Sequence, residues 1–317
     1  MSNPLTELLT ISLILASGLA WVAVLLRWLT ERNGRAALPV AGPCEPGDTA
    51  NVAVEAAPLG GSHGPECVDA PPNPRLPPSI PPPALWLGLG LLALFVSGQF
   101  IEMAYQIVPS LRPAVNEVAD TSATNDGPSM LSRVRQAALL DALIGFLLLA
   151  ALGSSPDGWR QNGIHADRLG EQVWQGLLGF QLAIGPVLLM VIFTALLNLR
   201  TEDSQHEFLR FLDEQGTMQA WLWVSLTAVI GAPLAEELLF RVILQGGLEN
   251  LWHPAVAIII AAVVFCGVHH FPDSLALLPL ALILGVMYHR RRSLLSIVVV
   301  HATFNGVNLL LTALEQM

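Results

Sequence analysis

The chain has 317 residues, of which 53% are hydrophobic and only 13% are charged. A soluble domain usually carries about 25% charged residues, so this composition argues against an ordinary soluble protein and predicts one that crosses a membrane several times. The net charge of −10 gives no sign of nucleic-acid binding, which requires a basic surface.

Long apolar stretches predict an all-α fold, a polytopic bundle of about eight transmembrane helices. The first stretch lacks the basic start of a cleaved signal peptide, so residues 1–30 are predicted to form an N-terminal transmembrane anchor. Residues 84–172 are predicted to form accessory transmembrane helices, and residues 173–317 a helical core. The predicted spans lie at roughly 6–28, 84–107, 136–153, 173–197, 219–246, 254–271, 274–289 and 293–314.

Two of the polar segments between these spans have a distinctive composition. Residues 31–83 are rich in proline and glycine, as in GGSHGPEC and PPNPRLPPSIPPP, which predicts a disordered linker with a stiff, extended end. Residues 200–217 form either an amphipathic piece on the membrane surface or a solvated loop.

Arginines predict the orientation of the helices. The strongest basic cluster is Arg290–Arg292, and basic residues favour the cytoplasmic side. Counting spans backwards places Arg32 and Arg35 on the same side. We therefore expect an integral protein of the bacterial inner membrane, with a site that opens toward the cytoplasm.

The sequence EELLFR places three ionisable groups inside the fifth predicted span. A charged residue within a membrane costs about 2.5–3.5 kcal/mol, so such residues usually mark function. Glu237 and Arg241 are i,i+4 neighbours, which predicts a structural ion pair. Glu236 points about 100° away and is left to face a cavity, where it is the candidate general base.

Two later spans also carry polar residues at i,i+4. Phe265 and His269 share one face of the sixth span, and His301 and Asn305 share one face of the last. Glu236, His269 and His301 all fall in the middle part of a hydrocarbon core about 30 Å thick. We therefore expect them to converge on one cavity.

This set of groups fits hydrolysis in two ways. In one, Glu236 and His269 deprotonate a water molecule while His301 and Asn305 donate hydrogen bonds to the oxyanion. In the other, Glu236, His269 and His301 hold a divalent metal such as zinc, whose bound water attacks. The sequence does not separate the two.

The segments EELLFR, FCGVH and HATFN, as EExxxR, FxxxH and HxxxN, resemble the three ordered motifs of the CPBP intramembrane proteases. That family includes type II CAAX prenyl endopeptidases and the Abi group of bacteriocin-processing and self-immunity proteins. The resemblance covers about residues 173–317 and implies a membrane-embedded endopeptidase. It implies catalytic roles for Glu236, His269, His301 and Asn305, a structural pair of Glu237 and Arg241, and packing by Phe265.

The resemblance also carries expectations about cofactors and partners. Family members are usually called metalloproteases, although a metal-free glutamate mechanism has been argued, and we expect no tightly bound zinc. The implied partners are a membrane-embedded or membrane-associated protein substrate and the lipid bilayer; the oligomeric state is left open. Val242 follows Arg241 where the family often has glycine, a change that removes no catalytic group.

Two other classes of function compete with proteolysis. A non-catalytic membrane scaffold, regulator or bacteriocin-immunity protein on the same fold would use the linker as a tether for partners. A proton-coupled transporter would use Glu236 and the histidines as a relay. Transporters often contain repeated halves, and the sequence has no internal repeat.

Overall fold

The computed structural model describes residues 4–36, 79–107, 130–199, 211–212, 217–269 and 273–315. Within these ranges every regular element is a helix, which confirms the predicted all-α membrane bundle. Most of the predicted segment 200–217 and most of the predicted linker 31–83 lie outside the described residues; within the first segment, Phe211 and Leu212 are described and buried. The helices are α1 Pro4–Ala36, α2 Pro82–Ile107, α3 Met130–Leu152, α4 Gly158–Gln161, α5 Leu169–Leu196, α6 over 218–249, α7 Pro254–Gly267, α8 Asp273–Arg291 and α9 Leu294–Glu315.

Four of the described helices are long and apolar enough to cross a membrane. They contain the stretches Leu5–Arg27, Met130–Leu152, Leu169–Leu196 and Leu294–Glu315. Shorter apolar stretches occupy Pro82–Gly98 and Pro254–Gly267. Each of the eight predicted spans overlaps a helix, while the number that crosses the bilayer stays a prediction.

Helix α6 carries the first motif and alternates between α and π geometry. Helices of the π type are rare and frequently occur at functional sites. The two π segments stand on either side of a short α segment that ends at Glu236. The segments are Met218–Ser225 (α), Leu226–Gly231 (π), Ala232–Glu236 (α), Glu237–Gln245 (π) and Gly246–Glu249 (α).

Glycines on α5 allow α8 and α9 to pack closely against it. A Cβ added at Gly176 would lie 2.6 Å from Val299 Cβ, and one at Gly179 would overlap the Met287 side chain. Small residues give this close approach in membrane bundles, where dispersion contacts replace the hydrophobic effect as the driving force. The packing fixes α9, and with it the third motif.

Helix α1 contacts α5 where a proline interrupts the hydrogen bonding of α5. Pro186 has no N–H, so the Leu182 carbonyl lacks its usual donor from the following turn. Trp21 Nε1 donates to that carbonyl over 2.9 Å, and Ser17 Oγ accepts from Gly185 N over 2.8 Å. The predicted anchor thus has specific contacts with α5.

Candidate active site

Glu236 faces the two histidines of the later motifs. Its Oε2 atom lies 3.9 Å from His269 Nε2 and 3.9 Å from His301 Nε2. The side chain of Glu236 is 17% exposed and that of His301 is 5% exposed. The residues predicted to converge on one cavity are therefore close neighbours in space.

His269 follows α7 instead of lying within it. The helix ends at Gly267, before the predicted boundary at 271, and His269 lies in the turn that follows. The predicted helix boundary is therefore wrong, whereas Phe265 and His269 are neighbours as predicted, with ring centroids 4.6 Å apart. His269 Nδ1 is 2.7 Å from the Phe265 carbonyl, one of the carbonyls that a helix end leaves without a backbone partner.

His301 is held by the glutamate that was assigned to the ion pair. His301 Nδ1 lies 2.8 Å from Glu237 Oε1, while Arg241 Nε lies 3.2 Å from Glu237 Oε2. Glu237 and Arg241 are both fully buried. Glu237 therefore has two partners, an arginine on its own helix and a histidine on α9.

The Phe265 ring packs at the centre of these groups. It is fully buried, and its centroid lies 4.6 Å from that of His269 and 5.8 Å from that of His301. The Arg241 guanidinium lies 5.0 Å from the same centroid, a cation–π contact. One aromatic side chain thus positions groups from all three motifs.

Asn305 bonds to the backbone of the first π segment. Its Nδ2 donates to the Ala228 carbonyl over 2.8 Å. In that segment Ala232 N donates to Thr227 O, five residues back, and the same pattern would pair Ala228 O with residue 233. Residue 233 is proline and has no N–H, so the Asn305 amide takes the place of that donor.

The hydrogen bond to the Phe265 carbonyl fixes the tautomer of His269. A carbonyl oxygen only accepts, so His269 Nδ1 carries the hydrogen that bonds the Phe265 carbonyl. In the neutral ring, Nε2 then carries a lone pair and faces Glu236. The 3.9 Å separation from Oε2 exceeds a direct hydrogen bond and suits two groups that share one water molecule.

The residues predicted to hold a metal offer suitable donor atoms. Glutamate oxygen and two imidazole nitrogens are the donor types of catalytic zinc sites, and anchored Nδ1 atoms are usual there. Within the described residues, no group of three or more His, Cys, Asp or Glu side chains is arranged to hold a metal ion.

A further carboxylate lies near the site and was missed in the sequence analysis. Asp141 on α3 faces Gly231, where an added Cβ would lie 3.4 Å from Asp141 Oδ2. Asp141 is also close enough to Glu236 for electrostatic interaction. It is the only acidic residue in the predicted span 136–153, so its occurrence in an apolar stretch was a signal that could have been used.

The region that carries the three motifs matches a known protein family. Residues 218–307 match the family model described as type II CAAX prenyl endopeptidase Rce1-like. The "UPF0177 protein in abiGi 5'region" of Lactococcus lactis subsp. cremoris is 33% identical over 84 residues, which are 26% of this chain and 35% of that protein. The chain thus aligns with about a third of that relative. No solved structure matches the chain.

The family-model match confirms the resemblance for the part of the chain that carries EELLFR, FCGVH and HATFN. The apolar helices and the family match together identify an integral membrane protein. The match begins at residue 218, so helices α1 to α5 lie outside it.

Proposed function

We propose, from the premise that residues 218–307 belong to the Rce1-like family, that this protein is an intramembrane endopeptidase. One observation carries the proposal: Glu236 Oε2 lies 3.9 Å from Nε2 of both His269 and His301. The opposite ring nitrogens are held by a carbonyl and by a carboxylate, which orients both imidazoles toward Glu236. Such an arrangement can hold and activate one water molecule.

In the proposed reaction, Glu236 acts as the general base. Water bound between Glu236 and His269 loses a proton to Glu236 as its oxygen attacks the carbonyl carbon of the substrate. The electron pair of the C=O bond moves to oxygen, and this oxyanion accepts hydrogen bonds from Asn305 Nδ2 and from protonated His301 Nε2. Collapse of the intermediate breaks the C–N bond, and Glu236 returns its proton to the leaving amine.

The proposed substrate is a membrane-embedded or membrane-associated peptide segment. The family description supports processing of the CAAX type as one form of this activity. The basic residues that end α8, among them Arg290 and Arg291, support a cytoplasmic position for that helix end. We accordingly propose the inner membrane of a bacterium as the location and the cytoplasm as the side from which the site is reached.

The test compares membranes from cells that express the wild-type protein, Glu236→Gln or Glu171→Gln. Quantitative proteomics of new peptide termini should detect cleavage products with the wild type. Loss of a general base reduces rates by about 10²–10⁴-fold, so Glu236→Gln should remove these products. Glu171→Gln makes the same chemical change at a half-exposed surface carboxylate and should leave them unchanged.

Three further measurements make the result decisive. Thermal unfolding in detergent should be the same for Glu236→Gln and the wild type, because Glu236 Oε2 has no hydrogen bond with the described residues. Undiminished products with Glu236→Gln would overturn the assignment of the base. Identical termini with and without the protein would favour the scaffold or immunity role, and loss of products after chelation would favour the metal mechanism.

A further inference from the structure

A file of four polar side chains runs along α6 from the candidate active site to the last turn of the helix. Glu237, Arg241, Gln245 and Glu249 recur at i,i+4, a spacing that keeps side chains on one face. All four are buried. Four buried polar residues in a row need a physical reason, since each carries a desolvation cost.

The members of the file bond each other in pairs. Arg241 Nε donates to Glu237 Oε2, and Gln245 Nε2 donates over 2.9 Å to Glu249 Oε1. Gln245 Nε2 also donates over 2.9 Å to the Gly285 carbonyl on α8. A Cβ at Gly285 would lie 3.0 Å from Gln245 Oε1, so glycine is what lets α8 approach this side chain.

The outer end of the file reaches the surface. The Glu249 carboxylate contacts the Arg292 guanidinium and lies 3.3 Å from His289 Nδ1. The His289 side chain is 37% exposed, whereas that of Glu249 is 1% exposed. Arg292 also covers the buried Tyr288 ring at 5.1 Å. The file therefore extends from Glu237 toward a partly exposed basic group at the end of α8.

Several buried polar atoms along this file have no hydrogen-bond partner among the described residues. They are Nη1 and Nη2 of Arg241, Oε1 of Gln245, Nε and Nη1 of Arg292 and, at the inner end, Oε2 of Glu236. Donors and acceptors alternate, so an ion of either sign would satisfy only some of them. Water both donates and accepts, and it is the usual partner of otherwise unpaired buried polar groups.

We propose that these atoms bind a row of ordered water molecules, the water file, that connects the outer end of α6 to Glu236. A site surrounded by lipid-facing helices needs a supply of the water that hydrolysis consumes, and the water file provides it. The supply role rests on the proposed function, whereas the binding of water does not. Gln245 is a positioning residue here, since its Oε1 lies on the file between Arg241 and Arg292.

X-ray hydroxyl-radical footprinting of the full-length protein in detergent tests the proposal, because radicals formed from bound water label buried side chains next to it. Phe265, beside Arg241, and Tyr288, beside Arg292, should be labelled although both are fully buried. Phe240 is equally buried but contacts the rings of Phe95 and Phe265, and it serves as the unlabelled reference.

The decisive variant is Gln245→Leu, which keeps the size of the side chain and removes its polar atoms. Labelling of Phe265 should fall to the level of Phe240, while labelling of Tyr288 persists. Gln245→Asn retains an amide and should restore labelling of Phe265. Leu244→Ala, at the neighbouring apolar position, controls for a general loosening of α6 and should not reduce labelling.

Equal labelling of Phe265 in the wild type and Gln245→Leu would overturn the proposal, since water would then reach the ring by another route. Cleavage by Gln245→Leu should fall by roughly tenfold in kcat with little change in KM, and Gln245→Asn should recover most of it. Unchanged kcat together with lost labelling would overturn the supply role alone. Footprinting of Glu236→Gln should match the wild type, so the water file is tested separately from the base.

Discussion

Helices α1 and α9 are both long apolar helices, yet they contribute differently to the fold. The α1 stretch Leu5–Arg27 has a mean hydropathy of 2.3, and 6% of the residues in its most apolar 18-residue window are buried; for α9, Leu294–Glu315, the mean hydropathy is 1.8 and the buried share is 33%. The more apolar helix is the one that the protein covers less. Hydropathy reports that a helix can enter the membrane, and polar positions such as His301 report which helix lies inside the bundle.

The two helices also differ in what fixes them. On α1, Ser17 is almost fully buried and Trp21 donates to α5, while most of the apolar side chains are exposed. On α9, His301 bonds Glu237 and Asn305 bonds the Ala228 carbonyl. Buried polar contacts with α6 therefore position α9, and the following changes test that difference.

The largest effect on stability is expected from Arg241→Met, in the group that anchors α9. This change leaves the fully buried Glu237 without its arginine, and breaking such a pair costs about 3–5 kcal/mol. Reversible unfolding in mixed detergent measures the loss. The double variant Glu237→Gln with Arg241→Met should recover part of the lost free energy of unfolding. If Arg241→Met alone costs no more than a change at an exposed residue, the buried ion pair does not stabilise the protein as expected.

A smaller effect is expected from the same truncation on each helix. Leu309→Ala on α9 removes a side chain that is 7% exposed and should cost about 2–3 kcal/mol through the cavity it leaves. Leu19→Ala on α1 removes one that is 71% exposed to the surroundings and should change the free energy of unfolding little. Equal losses in unfolding experiments would show that α1 is packed as tightly as α9.

Asn305→Leu should cost about 1–3 kcal/mol, because the Ala228 carbonyl loses its donor. In a Pro233→Ala background, residue 233 gains an N–H that can bond this carbonyl. The cost of Asn305→Leu should then be smaller, and unfolding of both singles and the double measures the coupling. Additive losses would mean that Pro233 is not the reason why the Ala228 carbonyl accepts from Asn305.

The smallest effect is expected from Ser17→Ala on α1, which removes the acceptor for Gly185 N. A typical hydrogen bond contributes about 0.5–1.5 kcal/mol, so the loss should fall in that range. Ser12→Ala is the control, since Ser12 Oγ is exposed and donates to Leu8 O of its own helix. If both changes have the same effect, the contact between α1 and α5 contributes nothing to stability.

Much of the candidate site followed from helical spacing. Glu237 and Arg241 are four residues apart on one helix, so their contact needed no knowledge of the tertiary fold. Comparable depth in the membrane indicated that His269 and His301 would lie near Glu236. The long apolar stretches and the order of the three motifs were also sufficient to predict the all-α fold class.

Other parts of the site depend on contacts between helices. The His301–Glu237 hydrogen bond joins α9 to α6, and no local pattern predicts it. The turn that carries His269 depends on where α7 ends, and a boundary read from sequence is uncertain by about 2–4 residues. Asp141 lies on α3, outside the three motifs, and only packing against Gly231 brings it close.

Pro186 and Pro233 each leave a helix carbonyl that a polar side chain from another helix then occupies, Trp21 in one case and Asn305 in the other. In evolutionary terms, each proline and its distant partner form one inherited unit. A relative that replaces the proline regains the backbone hydrogen bond, and selection on the partner is relaxed. Among relatives, position 233 should therefore vary together with position 305, and position 186 with position 21.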